Sequence, residues 1–306
     1  MAAAMFDMKH RASGAKRGSG RGLDGSGAAQ DRSSRHLKRV SAIAVLGMML
    51  AACSSPEEIV SETGLAPATA ETRAATAAAA LAAVTFADNA NQGEAGREFA
   101  YAWPAEVSAV PQLTERFTAE RDKLLAEQKA DWDEALREFA DGDCAGCVNR
   151  SFEKTWEVAA DLPRFLSLSA SFYEYSGGAH GNGAYQALVW DREARAAFDP
   201  KAMFRSPEAL QAALGDTWCK ALKSERMKRL GADYSEDSIF TCPPIADLTV
   251  LAGSTDKRAF DRIGLLAAPY VAGSYAEGTY EVTLPVTRAV LDAVKPEYAS
   301  AFALAK

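Results

Sequence analysis

Residues 165–190 read Phe165-Leu166-Ser167-Leu168-Ser169-Ala170-Ser171-Phe172-Tyr173-Glu174-Tyr175-Ser176-Gly177-Gly178-Ala179-His180-Gly181-Asn182-Gly183-Ala184-Tyr185-Gln186-Ala187-Leu188-Val189-Trp190. Leu166, Leu168, Ala170 and Phe172 alternate with Ser167, Ser169, Ser171 and Tyr173, the period of two expected of a strand with one buried face. Ala184 to Trp190 forms another apolar strand. Between them Ser176–Gly183 holds four glycines in eight residues, which implies positive φ angles or close backbone approach and so a hairpin or wide loop. Upstream, Phe152, Lys154, Trp156 and Val158 share one face of an earlier strand.

Outward from this core the period changes. Leu113, Phe117, Leu124, Leu125, Trp132, Leu136 and Phe139 recur near 3.6-residue spacing, which predicts an amphipathic helix ending near Ala140, with Asp133 and Arg137 as an i,i+4 pair. Phe99, Tyr101 and Trp103 alternate before it as a short strand. Downstream, Ser206-Pro207 reads as an N-cap followed by proline at the first helical position, and Leu210, Leu214, Trp218 and Leu222 mark a second helix stopped at Gly231. Strands are expected at Leu248–Leu251, near Ile263–Ala267 and at Tyr280–Leu284, and a short helix at Val286–Val294. Neighbouring strands with helices set apart predict an α+β fold, a largely antiparallel sheet with two main amphipathic helices packed on it.

The N-terminal third has a different character. Residues 1–34 are rich in Gly, Ser and Arg, and Arg35, Lys38 and Arg39 precede the apolar run Val40–Leu50, too short to span a hydrocarbon core of ~30 Å. Leu50-Ala51-Ala52-Cys53 matches the cleavage box of a bacterial lipoprotein. Residues 1–52 are therefore expected to be a leader and signal peptide, and Cys53 the lipidated amino terminus, held at the bilayer by acyl chains at ~0.8 kcal/mol per buried methylene. Ser54 and Ser55 carry no aspartate retention signal, so the expected location is the cell envelope, on the outer membrane facing the periplasm. Residues 53–87, built from Ala, Thr, Ser, Glu and Pro, bury too little surface to order and read as a disordered tether with a transient helix near Ala75 to Ala83. Residues 88–306 are then the folded part.

Charge narrows the partners. Residues 1–52 hold 9 of the 34 basic and 3 of the 41 acidic residues, so cleavage leaves 25 against 38, a formal balance of −13. Such a surface repels nucleic acid and attracts basic proteins through long-range forces that salt weakens.

The segment Tyr173-Glu174-Tyr175-Ser176-Gly177-Gly178-Ala179-His180-Gly181-Asn182, the downstream Pro269-Tyr270-Val271-Ala272-Gly273 and the closing Tyr280-Glu281-Val282-Thr283-Leu284-Pro285 resemble the extracellular domain of the RsiV-like family, shared by lysozyme-binding anti-sigma factors and the peptidoglycan deacetylase PdaC. The likeness runs over roughly residues 95–304. It implies an α+β, envelope-facing domain that in one member binds lysozyme. Anti-sigma activity does not carry over, since no sigma-binding segment or spanning helix is evident. Deacetylation does not either: its metal set needs two histidines, and His180 is the sole histidine after His36. A basic lysozyme-like muramidase, or peptidoglycan itself, is the expected partner.

Candidate ligand contacts are Tyr173, Tyr175, Gly177, Gly178, His180 and Asn182 of the hairpin, with Tyr270 and Gly273. His180 has three readings: a loop-locking hydrogen-bond donor, a ligand contact, or a general base beside Glu174 in an envelope enzyme acting on glycan. No Gly-x-Ser-x-Gly elbow and no zinc-ligand spacing accompany it, and no cofactor or metal is expected. Of the remaining cysteines, Cys144 is expected to pair with Cys147 and Cys219 with Cys242, the latter bridge contributing about 3 kcal/mol in the chain-entropy account. The rival readings are a thioredoxin-like Cys144-Ala145-Gly146-Cys147 motif, opposed by Asp141 and Asp143, and a four-cysteine zinc site.

Overall fold

The computed structural model describes residues 82–140, 144–235 and 239–306. The leader, the signal peptide, Cys53 and nearly all of the expected tether lie outside these residues, as do Asp141 and Asp143.

Alternation at 150–175 becomes two long antiparallel strands, β4 (Arg150–Asp161) and β5 (Phe165–Tyr175), and β5 continues through the glycine turn into β6 (Asn182–Asp191) and the short β7 (Ala196–Phe198). On the other side β4 meets β3 (Ala95–Trp103), which also pairs β1 (Val84–Ala87) and β2 (Ala90–Gln92). The β3–β4 pair is parallel, the exception among the described strand pairs. A parallel neighbour needs a crossover, supplied here by α1 (Ala105–Ser108), α2 (Pro111–Glu138) and α3 (Ala145–Val148).

Two details correct the sequence reading. β1 occupies the end of the stretch expected to be tether, because Val84 and Phe86 alternate and pack against the first core. Asp133 and Arg137 form no ion pair among the described residues. The i,i+4 pair of α2 is Lys123 with Glu127, at 3.7 Å.

Leu166, Leu168 and Ala170 join Phe99, Tyr101, Trp103 and Trp156 to form one core with Leu113 and Phe117 of α2. A register shift between Val158 and Ala160 adds a residue to β4. The extra residue flips the alternation, so Ala160 leaves this face and enters a second core. That second core holds α4 (Pro207–Leu230), a three-stranded sheet of β8 (Thr249–Gly253), β9 (Arg262–Ala267) and β10 (Tyr280–Pro285), and α5 (Arg288–Ala293). β8 packs across β4, β5 and β6, and α4 lies against β10 and α5.

The start and stop signals act as the sequence predicts. The Ser206 hydroxyl accepts from the Ala209 N–H at 3.2 Å, Pro207 opens α4, and Gly231 ends it at φ +55°. α5 starts two residues later than expected because the Thr287 hydroxyl caps it, accepting from the Val290 N–H at 3.4 Å, while the Val286 carbonyl is taken by the Ala305 N–H at 3.1 Å. Both expected disulfides are formed, Cys144–Cys147 with Cα atoms 5.3 Å apart and Cys219–Cys242 with 5.6 Å. No described helix is long and apolar enough to cross a membrane.

Candidate functional site

The β5–β6 turn is anchored at one side by the Cys144–Cys147 loop. The Tyr175 hydroxyl shares its proton between the Gly146 carbonyl at 2.8 Å and that of Gly178 at 2.9 Å, and the Gly178 N–H donates to Gly146 at 3.3 Å. Gly177 and Gly178 have φ of +94° and +98°, a region costly for side chains, and a Cβ at Gly177 would stand 3.1 Å from the Cys147 carbonyl. Tyr175, Gly177 and Gly178 therefore shape the hairpin.

The opposite side of the turn faces the segment between β9 and β10. The Gly181 carbonyl only accepts, so the His180 Nδ1 facing it at 2.9 Å carries a proton. Nε2 lies 3.3 Å from the Tyr270 hydroxyl. The imidazole stacks on Tyr275 with centroids 3.7 Å apart, and the Tyr270 ring lies 5.7 Å from that of Tyr275. Tyr173 supports the turn, its hydroxyl accepting from the Gly181 N–H at 3.2 Å. Tyr270 and Tyr173 nevertheless remain 51% and 42% exposed. The result is a partly exposed cluster of Tyr173, His180, Tyr270 and Tyr275 built from two segments some 90 residues apart.

The second segment is held rigidly. Tyr270 adopts φ +72°, strained for a bulky side chain, and its N–H donates to the Gly273 carbonyl at 3.0 Å. The carboxylate of Glu277 folds beneath the turn, accepting from the Ser274 N–H at 2.7 Å and the Tyr280 hydroxyl at 2.7 Å, with the Arg226 guanidinium 3.6 Å away. Burial pushes this carboxyl up, but those hydrogen bonds and Arg226 outweigh it and hold the group below its ordinary value. A Cβ at Gly273 would sit 2.6 Å from Glu277 Oε2, so Gly273 makes room for the carboxylate. Arg229 of α4 donates to the carbonyls of Glu277 and Thr279 and covers the Tyr280 ring. From β6 the Tyr185 hydroxyl lies 3.2 Å from both Thr279 Oγ1 and Glu281 Oε1, tying the two segments together.

The sequence-derived residues thus divide. Tyr173, His180 and Tyr270 meet in the cluster, Tyr175, Gly177, Gly178 and Gly273 support it, and Asn182 is exposed at the start of β6. Tyr275 and Glu277 were not anticipated; the Ser274-x-x-Glu277 capping spacing was the available signal. Glu174, expected beside His180 in the enzyme reading, points to the other face of β5. It lines a cleft of about 240 Å³ with Glu127, Asp131 and Arg150, where burial and then the like charges of Asp131 and Glu127 raise its pKa. Among the described residues no set of three or more His, Cys, Asp or Glu is placed to hold a metal ion.

Residues 85–183 match the model of a family described as "Deacetylase PdaC". The matched segment includes the Gly-Gly-Ala-His-Gly-Asn block, and over it the resemblance to an RsiV/PdaC-like domain is borne out. No curated protein matches the chain. Similar solved structures include a DUF3298 family protein from Pseudomonas aeruginosa PAO1, 18% identical, with 72% of this chain and 96% of that one covered and a TM-score of 0.44. Another is a DUF3298 family member from Bacteroides fragilis NCTC 9343, 15% identical, with 66% and 88% covered and a TM-score of 0.40.

Proposed function

We propose that this chain, which carries a PdaC-type segment over residues 85–183, is a lipid-anchored binding or sensing protein of the cell envelope. In this reading Cys53 bears the acyl chains, and the cluster of Tyr173, His180, Tyr270 and Tyr275 contacts a lysozyme-like muramidase or the cell wall. The carrying observation is the cluster itself. Large amphipathic rings are exposed, yet their backbone is held by the buried Glu277 carboxylate and by the bond from the Tyr270 N–H to the Gly273 carbonyl. Aromatic side chains held ready in this way lose little conformational entropy on binding and supply most of the energy of an interface. The acidic balance of the chain favours a basic partner and adds a salt-sensitive attraction.

The test is retention of a c-type lysozyme, and separately of purified peptidoglycan, on the immobilised full chain at low and high salt. Lysozyme is expected to bind at low salt, to be released at high salt, and to be lost from Tyr270→Ala and Tyr275→Ala. Retention of neither probe, or equal retention by the variants, would count against the proposal. Mass spectrometry of the protein from an envelope fraction tests the anchor, which requires an acylated Cys53 at the amino terminus.

A further inference from the structure

A second cleft, of about 250 Å³, opens where β7 stops short on β6. β7 pairs only with Val189–Asp191, so the β6 edge from Ala187 back to Tyr185 has no strand beside it. The Tyr185 carbonyl faces this edge, where it accepts from Thr249 Oγ1 at 3.1 Å, and strand alternation turns the Ala187 N–H to the same side.

The charges lining the cleft are unusual for so acidic a chain. Arg116 of α2 forms no hydrogen bond or ion pair among the described residues. The nearby carboxylate of Glu120 is already engaged by buried Lys154 and by the Tyr101 hydroxyl at 3.0 Å. Lys201 donates to the Ala246 carbonyl at 2.7 Å and has no carboxylate partner among the described residues. Asp199, the one acid lining the cleft, caps its own turn by accepting from the Lys201 N–H at 2.8 Å. Gln186 has its amide oxygen fixed by the Lys154 ammonium at 2.6 Å, which leaves its NH₂ group as a donor. A guanidinium, an ammonium, a side-chain amide and a backbone N–H, drawn from three parts of the chain, thus line one recess with an excess of positive charge.

We propose that this cleft binds a small ligand bearing an oxyanion, a carboxylate or a phosphate, with Arg116 and Lys201 as charged contacts and the Gln186 amide and Ala187 N–H as neutral donors. The site is separate from the aromatic cluster and stands whether or not that cluster binds a muramidase. Charge-assisted bonds from Arg and Lys suit either anion, and the neutral donors fix its orientation.

The test is titration of the full chain, followed by calorimetry and amide NMR shifts, with inorganic phosphate, with N-acetyl-D-alanine, and with N-acetyl-D-alanine amide as the uncharged control. Saturable binding in the millimolar range or tighter is expected for at least one anion, with shifts at Gln186 and Ala187, and none for the amide. A preference for phosphate would point to headgroup or free phosphate, and a preference for the acyl amino acid to peptide carboxylates. Arg116→Gln and Lys201→Gln should each weaken binding at least tenfold, while Arg288→Gln, exposed on α5, should leave it unchanged. Arg116 is exposed and forms no hydrogen bond or ion pair among the described residues, so its variant is a clean readout. Absence of saturation by both anions, equal binding of the amide, or unaltered affinity in Arg116→Gln would overturn the proposal.

Discussion

His180 and Tyr270 show how much of a site single residues announce. His180 stood out in the sequence because it is the sole histidine after His36 and set among glycines, and the structure gives its ring a carbonyl, a phenol and a stacking partner. Tyr275 carried no such mark, since stacking across some 95 positions leaves no local trace. The strain at Tyr270 is open to a direct measurement. Glycine tolerates φ +72° and costs backbone entropy in return, so Tyr270→Gly should change stability by no more than about 1 kcal/mol while, on the proposed function, lowering retention of lysozyme at least tenfold. Denaturant midpoints and binding isotherms check both halves. Gly181→Ala is expected to behave in the opposite way. Its Cβ would lie 2.5 Å from the Glu174 carbonyl and from the Tyr173 ring, so the turn must shift, at about 1–3 kcal/mol of stability and with loss of the His180–Tyr275 stacking shift in proton NMR.

At the scale of elements, periodicity located the strands and helices that have a buried face, and caps located their ends. It did not show that β3 lies parallel to β4, because pairing direction depends on which strand the α2 crossover brings alongside. The Cys144–Cys147 loop is a second element whose role emerged from packing. Its Gly146 carbonyl receives both the Tyr175 hydroxyl and the Gly178 N–H, so the disulfide holds the acceptor that holds the hairpin. Replacing Cys144 and Cys147 together by serine should raise hydrogen exchange at Gly178 and His180 at least tenfold and leave the centre of β5 protected. Unchanged exchange at Gly178 would mean that the loop keeps its shape without the bridge. Loss of the Cys219–Cys242 bridge acts on α4 and its following loop, and should cost about 3 kcal/mol of global stability.

For the whole molecule, three carboxyls join distant segments. Hydrogen bonds from Lys129 and Arg97 hold Asp88 below its ordinary value. Burial pushes Asp191 up, but Arg164 and the N–H groups of Ala194 and Glu193 outweigh it, as Tyr280, Ser274 and Arg226 do for Glu277. All three titrate lower folded than unfolded, so the unfolded chain takes up protons first. Their contribution is complete above the ordinary values of 3.8 and 4.5 and is lost as the pH falls through the lower folded ones. Urea midpoints should therefore be flat from neutrality to about pH 5 and decline below about pH 4. Asp191→Asn should remove part of that decline and cost about 1–3 kcal/mol at neutral pH, since Arg164, 32% exposed, keeps only Glu193 as a charged partner, at 3.1 Å. By itself the sequence determined the main strands and helices, the helix caps and the glycine turn, because each is written in spacings of a few residues, whereas the pairing of the four cysteines, one bridge of which spans 23 positions, was settled by packing. Only the tertiary structure decided which face of β5 carries Glu174 and which supports His180, that Glu277 lies beneath Gly273, and that Arg116 and Lys201 share a cleft. Those relations join residues many tens of positions apart, and they exist only once two cores have packed against opposite faces of one sheet.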